Sequence, residues 1–462
     1  MLKKFIGDKA FYRRLFVLMI PIMVQNGITN FVSMLDNIMI GRLGTPEMTG
    51  VAVVNQLMFV FNLCIFGAVS GAGIFGAQFF GRGDTDGVRH SFRFKYIFST
   101  VMTVLAVLLF ATCGEWLIGL YLKGEGSAQD IAATMVFAKK YMTVMAIGML
   151  PYALSQCYAS TLRETNQASV PMCAGIVAVI VNLMFNYVLI FGALGFPALG
   201  VAGAAIATVI ARFAELAVVA IWSWRNRYEN SFIIGAFKSL YIPKELVWRI
   251  TVKGMPLMIN ESLWAAGMAL LSQCYSMRGF EVVAANNIAQ TFYNLFSIVF
   301  VSTGGAIGII LGQMLGNGEL EEAKAESIRL IAFSVISSVI IGALYAFLGI
   351  FIPHLYNVDG SVKILATRLM QITAAAMPFF AFTHSCYFTL RSGGKIAITF
   401  VFDCCFVWAI NLPVVYLVTK YTDVNILAVF AISESVHILK CVLGGWFVAK
   451  GVWIRNLVAS DG

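Results

Sequence analysis

Charge is scarce in this chain. Asp, Glu, Lys and Arg make up 12% of its 462 residues, about half the share of an ordinary soluble domain. The longest strongly polar break, from about Trp224 to Lys253, leaves no room for a separate water-soluble catalytic domain. Cysteine pairing has no pattern either. The nine cysteines are odd in number, form no Cys-x-x-Cys and sit mostly in apolar runs, which argues against a disulfide framework or thiolate metal centre. The four histidines lack metal-ligand spacing, His384 and His437 being isolated from each other in sequence. A phosphate-cradling G-x-x-x-x-G-K-[ST] loop is missing, which argues against a self-contained ATP-driven pump. H-E-x-x-H, G-x-S-x-G and clustered acids are missing too, so no enzyme activity and no cofactor are expected. Period-two alternation is absent as well, and that excludes a membrane β-barrel.

What is abundant is apolar sequence: 60% of residues are hydrophobic and the mean hydropathy is +0.84. Apolar segments of bilayer-spanning length recur twelve times, near 15–40, 51–79, 94–114, 131–155, 168–192, 199–222, 250–276, 283–312, 328–352, 364–389, 396–419 and 425–449. The chain reads as an all-α, multi-pass integral membrane protein. Its net charge of +9 is placed by topology and not as a nucleic-acid surface. Lysine and arginine crowd the segment before the first span (Lys9, Arg13, Arg14), the second loop (Arg82, Arg89, Arg93, Lys95) and the central loop (Arg225, Arg227, Lys238, Lys244, Arg249). Alternate loops hold far fewer, such as Arg42, Arg278 and Lys420. That bias predicts both termini in the cytoplasm and a cell-membrane location. The basic head and first apolar run resemble a signal peptide, but the run is too long and lacks a small-residue cleavage site, so retention is expected.

The chain also repeats itself. Gln78-Phe-Phe-Gly81-Arg-Gly83-Asp84 recurs as Gln313-Met-Leu-Gly316-Asn-Gly318-Glu319, an offset of 235 that also relates Pro21 to Pro256. Cys157-Tyr158 with Thr161-Leu162-Arg163 recurs as Cys386-Tyr387 with Thr389-Leu390-Arg391, and Asn182-Leu183 as Asn411-Leu412, at offsets of 228–229. Two six-helix halves are expected, residues 1–223 and 250–462, joined by a cytoplasmic linker over 224–249. An even number of spans per half makes the halves parallel, related by a pseudo-twofold axis along the membrane normal, with a solute cavity expected between them.

Within this apolar background, Asp36 lies inside the first span. A carboxylate there costs roughly 2.5–3.5 kcal/mol on insertion scales, so it must face a bundle interior or a wet cavity. Gln25, Asn26, Thr29, Asn30, Ser33 and Asn37 accompany it at spacings of three or four residues, along one helical face. That face serves either a solute or ion pathway or a polar seam between packed helices. Other charges inside spans are Arg212 with Glu215, three apart and suited to pair with each other, Glu261, Asp403, and Glu434 with Lys440. Arg163 and Arg391, in equivalent turns, read as anchors at the cytoplasmic surface.

These features bring a family into view. Asp36–Gly44 (D-N-I-M-I-G-R-L-G), Gly76–Asp84, Thr161–Asn166 (T-L-R-E-T-N), Asn182–Gly192 and Gly200–Thr208, set in six plus six spans, resemble the multidrug and toxic compound extrusion (MATE) transporters. The resemblance implies a secondary antiporter that exports an organic, often cationic, compound while protons or sodium ions enter. In its DinF-type branch a coupling site spans the first, fifth and sixth helices, and the matching positions here are Asp36, Asn182 and Thr208. A second fifth-helix carboxylate of that branch is replaced by Asn186. One titratable group then remains, and a sodium ion near Asp36 is the only metal the resemblance brings into consideration. NorM-type members carry further acids on the seventh and tenth spans; here Glu261 lies on the seventh, while Pro378–Arg391 has none. Glu261 is the second candidate for ion or substrate cation, with Gln25, Asn26, Asp403 and Glu434 behind it. The alternative within the same superfamily is a flippase or exporter of lipid-linked sugars or polysaccharide, which needs a basic cavity. Expected partners are a small organic substrate and membrane lipid, with the chain a monomer.

Overall fold

A computed structural model describes residues 5–122, 128–356 and 358–459. Among these there is no strand. The chain runs through α1 (Lys9–Gly41), α2 (Thr45–Arg82), α3 (Thr85–Tyr121), α4 (Ala128–Glu164), α5 (Ser169–Phe191), α6 (Val201–Arg225), α7 (Lys244–Ser276), α8 (Phe280–Phe296), α9 (Ile298–Asn317), α10 (Leu320–Leu348), α11 (Gly360–Ser392), α12 (Ile396–Phe400), α13 (Leu412–Tyr421) and α14 (Ile426–Ala449). Each of the twelve apolar segments is therefore helical. The eighth, expected to be continuous over 283–312, is two helices that meet at Ser297, whose hydroxyl donates back to Asn294 O. The eleventh contains π-helical turns at Val401–Cys405 and Val407–Asn411. Among the described residues, eleven helices are long and apolar enough to cross a membrane. α7 is not among them, since Lys244, Glu245, Arg249, Lys253, Asn260 and Glu261 dilute its apolar content.

Apolar side chains face outward along these helices. Val104, Leu105, Leu108 and Leu109 on α3, and Ile336, Val339, Ile340 and Phe347 on α10, are about half exposed or more. In water such stripes would be costly; against lipid tails they are at rest.

The described chain forms two compact units: Met1–Met23, Ala77–Gly83 and Ile259–Gly462 in one, and Val24–Gly76 with Asp84–Met258 in the other. α1 and α7 thus pass from one unit to the other at Met23/Val24 and Met258/Ile259, two residues after Pro21 and Pro256.

Within the first unit, the repeated Gln-x-x-Gly motifs cross each other reciprocally. A methyl on Gly81 would lie 1.9 Å from Gln313 O, and one on Gly316 would lie 1.9 Å from Gln78 O. Only glycine lets the two backbones approach so closely. The turns that follow use Gly83 (φ +79°) and Gly318 (φ +85°), left-handed positions at the same repeat register. Gln78 is fully buried and satisfied: its Nε2 donates to Ser392 O at 2.9 Å, and its Oε1 accepts from Leu457 N–H at 2.7 Å. The segment after α14 is thereby tied down, with Trp453 wholly buried.

In the second unit, α2 and α7 make a close glycine crossing, where a methyl on Gly71 would lie 2.4 Å from Gly254 Cα. The repeat-related contact in the first unit joins α9 to α1, with Thr303 Oγ1 3.2 Å from Met19 Sδ. The stretch between α6 and α7 is packed onto α3. Arg93 donates to Ala236 O (2.8 Å), Gly235 O (2.7 Å) and Tyr241 O (3.0 Å), and Phe232 and Ile233 are buried beneath.

Lys95 corrects the charge reading. The sequence places it with the loop cations, but α3 begins at Thr85, which puts Lys95 about 15 Å into the helix. It is fully buried, with Nζ 2.6 Å from Glu164 Oε2 and further donations to Ser160 (3.2 Å) and Thr161 (3.1 Å) hydroxyls. Gly73 and Gly76 leave the space that the carboxylate fills.

Candidate functional site

Asp36, the sequence-predicted centre, sits half-buried near the end of α1. Asn186 on α5 donates from Nδ2 to Asp36 Oδ1 at 2.6 Å and to Asn182 Oδ1 at 2.9 Å. Asn182 donates in turn to Thr208 Oγ1 on α6 at 3.3 Å, and the Thr208 hydroxyl donates to Ala204 O at 3.0 Å. Asn182 and Asn186 are one helical turn apart on the same face of α5, which is why both reach the seam. The four residues therefore form one directional chain across three helices. Asn186 Oδ1 is buried and finds no partner among the described residues.

Beside this chain lies a cavity of about 40 Å³ lined by Met58, Phe61, Tyr152, Thr208 and Arg212, among others. It has room for roughly three waters at about 10–15 Å³ each, and none for an organic solute. Arg212 lies over the Tyr152 ring at 4.6 Å and pairs with Glu215 at 3.3 Å, the partner expected from spacing.

The rest of the α1 polar face divides. Gln25 packs toward α5, where a methyl on Gly175 would lie 3.5 Å from its Cγ, and Asn26 is half-buried. Thr29 and Ser33 turn their hydroxyls back to Gln25 O (2.9 Å) and Thr29 O (3.0 Å). Those two satisfy their own helix and present no donor to a solute.

Glu261 and Asp403 belong to a different arrangement in the other unit. Glu261 Oε1 accepts from Tyr387 Oη at 2.8 Å and lies 3.9 Å from Arg391 Nη1. Asn260 Nδ2 bridges Tyr387 Oη (3.5 Å) and Asp403 Oδ2 (3.4 Å), and Lys440 Nζ is 2.5 Å from Asp403 Oδ1. Two acids are thus balanced by two bases. Arg391 is not a surface anchor: it is 5% exposed, because the last turn of α11 stays inside the bundle. Lys440 serves Asp403 and not Glu434: Asp403 lies in the π-helical turn Val401–Cys405, and its Oδ1 is the acid oxygen 2.5 Å from Lys440 Nζ. Glu434 Oε2 and His437 Nδ1 are buried without a partner among the described residues.

Tyr387, Arg391, Lys440 and Asn260 were not singled out from the sequence as site residues. Tyr387 and Arg391 carried one usable signal: they are four apart, hence on one face, and belong to a repeated motif.

A family model described as MatE matches residues 21–188 and 256–417. The probable multidrug resistance protein NorM of Thermotoga maritima is 22% identical over 97% of this chain and 94% of its own length. A protein of the same description from Halalkalibacterium halodurans is 26% identical over 88% of each chain. Among solved structures, a mutant of the Vibrio cholerae MATE transporter VcmN superimposes with a TM-score of 0.86 at 16% identity, covering 97% of this chain and 98% of that one.

Proposed function

The chain belongs to the MatE family, and on that premise we propose that it is a multidrug efflux transporter, a secondary antiporter that exports organic, often cationic, compounds by alternating access. The driving force is an inward gradient of protons or sodium ions, with Asp36 as the main coupling residue and Asn182, Asn186 and Thr208 around it. The observation that carries this reading is the 2.6 Å hydrogen bond from Asn186 to Asp36. It leaves an intramembrane carboxylate held by a neutral amide, able to be neutralised by a proton or matched by an entering cation. Glu261 is the secondary site, its charge already shared with Arg391. The protein acts as a monomer in the cell membrane with both termini cytoplasmic, its sequence halves spanning 1–223 and 250–462, and needs no cofactor beyond the coupling ion.

Purified protein in proteoliposomes tests this. Export of a cationic dye is expected under an imposed ion gradient without ATP; transport that appears only on adding ATP overturns the reading. The flippase alternative is disfavoured by the balanced charges in the second half. Arg391 and Lys440 are each engaged by an acid and offer no surplus positive charge for a pyrophosphate.

A further inference from the structure

The internal repeat carries part of the Asp36 seam into the second half of the chain. Thr208 is the eighth residue of α6 and Ser433 the eighth of α14, and Asn182 corresponds to Asn411 at the offset of 229. Each half ties its pair together. Asn182 Nδ2 donates to Thr208 Oγ1 at 3.3 Å, and Ser433 Oγ donates to Asn411 Oδ1 at 3.1 Å. The acid is not where the repeat would put it. The counterpart of Asp36 at the offset of 235 is Leu271, and that of Asn186 at the offset of 229 is Val415, both buried and apolar. A carboxylate instead follows the hydroxyl directly, as Glu434, in the position that Val209 holds in the first half.

Glu434 lies about 12 Å into α14. Its Oε2 is buried without a partner among the described residues, and so is Nδ1 of His437, three residues on and hence on the same helical face. The ionisable groups around Glu434 are Tyr275 on α7, Tyr293 on α8 and Tyr345 on α10, all within reach of its charge; Tyr345 already donates its hydroxyl to Ala289 O at 2.8 Å. His437 packs against the rings of Phe380 on α11 (4.6 Å between centroids) and Phe406 (6.3 Å). Asp403 and Lys440 also reach His437, but they are paired with each other at 2.5 Å. His384 of α11 lies instead against Phe300 and Phe388, and Lys420 of α13 is exposed and bonded to Tyr416. Glu434 therefore has no fixed counter-charge among the described residues. A covered carboxylate oxygen in a bundle interior, with neither donor nor cation beside it, is at rest with a proton on it. A metal ion would need several ligands at once, and no group of three or more His, Cys, Asp or Glu gathers among the described residues.

Resting on the antiporter reading above, we infer that Glu434 is a second proton-carrying site, the displaced counterpart of Asp36 in the second half of the chain. Uptake converts its carboxylate to the carboxylic acid and release reverses that step, so no other bond is made or broken. An apolar carbodiimide reacts with a carboxyl that holds a proton in apolar surroundings, and peptide mass spectrometry places the adduct. In purified wild type in lipid the adduct should form at Glu434 and not at Asp403 or Glu261, each of which has a base beside it. No adduct at Glu434 overturns the inference, and this measurement needs no variant to fold. In proteoliposomes under a pH gradient, the protons moved per ethidium exported should fall by about half in Glu434→Gln, because one of two carriers is lost. Glu434→Asp, which keeps the acid, should stay near the wild-type ratio. An unchanged ratio in Glu434→Gln overturns the inference, as does wild-type efflux driven by a sodium gradient alone. A wild type that moves ethidium under neither gradient overturns the antiporter reading, while the carbodiimide adduct still decides whether Glu434 holds a proton.

Discussion

Asn186 Nδ2 lies 2.6 Å from Asp36 Oδ1 and 2.9 Å from Asn182 Oδ1, so one amide joins α1 to α5 and passes the contact on to Thr208 of α6. Glu261 and Asp403 are held differently, each with a cationic side chain within 4 Å. A carboxylate among amides can change its charge state without breaking an ion pair. One that already has a lysine or arginine must first lose that partner's stabilisation.

That contrast orders the first pair of substitutions. Asp36→Asn should reduce gradient-driven dye efflux to background while expression and thermal stability stay near wild type, because shape is kept and only charge is removed. Glu261→Gln should cause a partial loss, larger for cationic than for neutral substrates. Retention of efflux by Asp36→Asn together with its loss in Glu261→Gln would move the coupling site to the second half.

Lys95 and Glu164 form a fully buried pair with Nζ–Oε2 at 2.6 Å. Removing one partner strands a buried charge, so Lys95→Met should cost about 3–5 kcal/mol, read as a lower melting temperature in detergent. Lys95→Met combined with Glu164→Gln should recover most of that loss. A double variant no more stable than the single one would show that packing, not charge, dominates the site.

The two glycine crossings of the repeated motif should be equally intolerant. Gly81→Ala and Gly316→Ala each place a methyl 1.9 Å from a backbone carbonyl oxygen, and each should destabilise by about 3 kcal/mol. Gly360→Ala, which meets nothing within 4 Å, should stay within about 0.5 kcal/mol of wild type. Melting curves of the three purified variants distinguish a shared steric cause from a general loss of helix flexibility.

Orientation is tested by labelling single cysteines in a cysteine-free background. Phe196 and Tyr228 are both well exposed, in the loops after α5 and α6. The lysine and arginine bias puts Phe196→Cys outside and Tyr228→Cys inside. A membrane-impermeant maleimide added to whole cells should therefore label only the first, and the opposite pattern inverts the topology.

The polar face of α1 shows where reading residues in order stops working. Spacing put Thr29, Ser33 and Asp36 on one stripe, and they are on one stripe, yet Thr29 and Ser33 spend their hydroxyls on the carbonyls one turn back. Periodicity says which way a side chain points but not which acceptor is nearest. Lys95 shows the same limit for charge. Hydropathy starts the third span near residue 94, whereas the helix starts at Thr85, so a residue that looked like a loop cation lies inside the bundle.

Helical character and internal repetition were determined by the sequence alone, because each depends on properties that add up along the chain. Twenty apolar residues need a bilayer-length helix whatever surrounds them, and a 235-residue offset in Gln78/Gln313 and Pro21/Pro256 needs no coordinates to be seen. The Asp36, Asn182, Asn186 and Thr208 grouping was legible only through family resemblance, since no spacing rule joins residues 150 positions apart. Tertiary structure alone decided the pairings of Lys95 with Glu164, Arg391 with Glu261 and Lys440 with Asp403. Each depends on the rotation and axial register of one helix against another. Hydropathy is unchanged by turning a helix about its axis, whereas a contact of 2.5–3.9 Å exists at only one such setting.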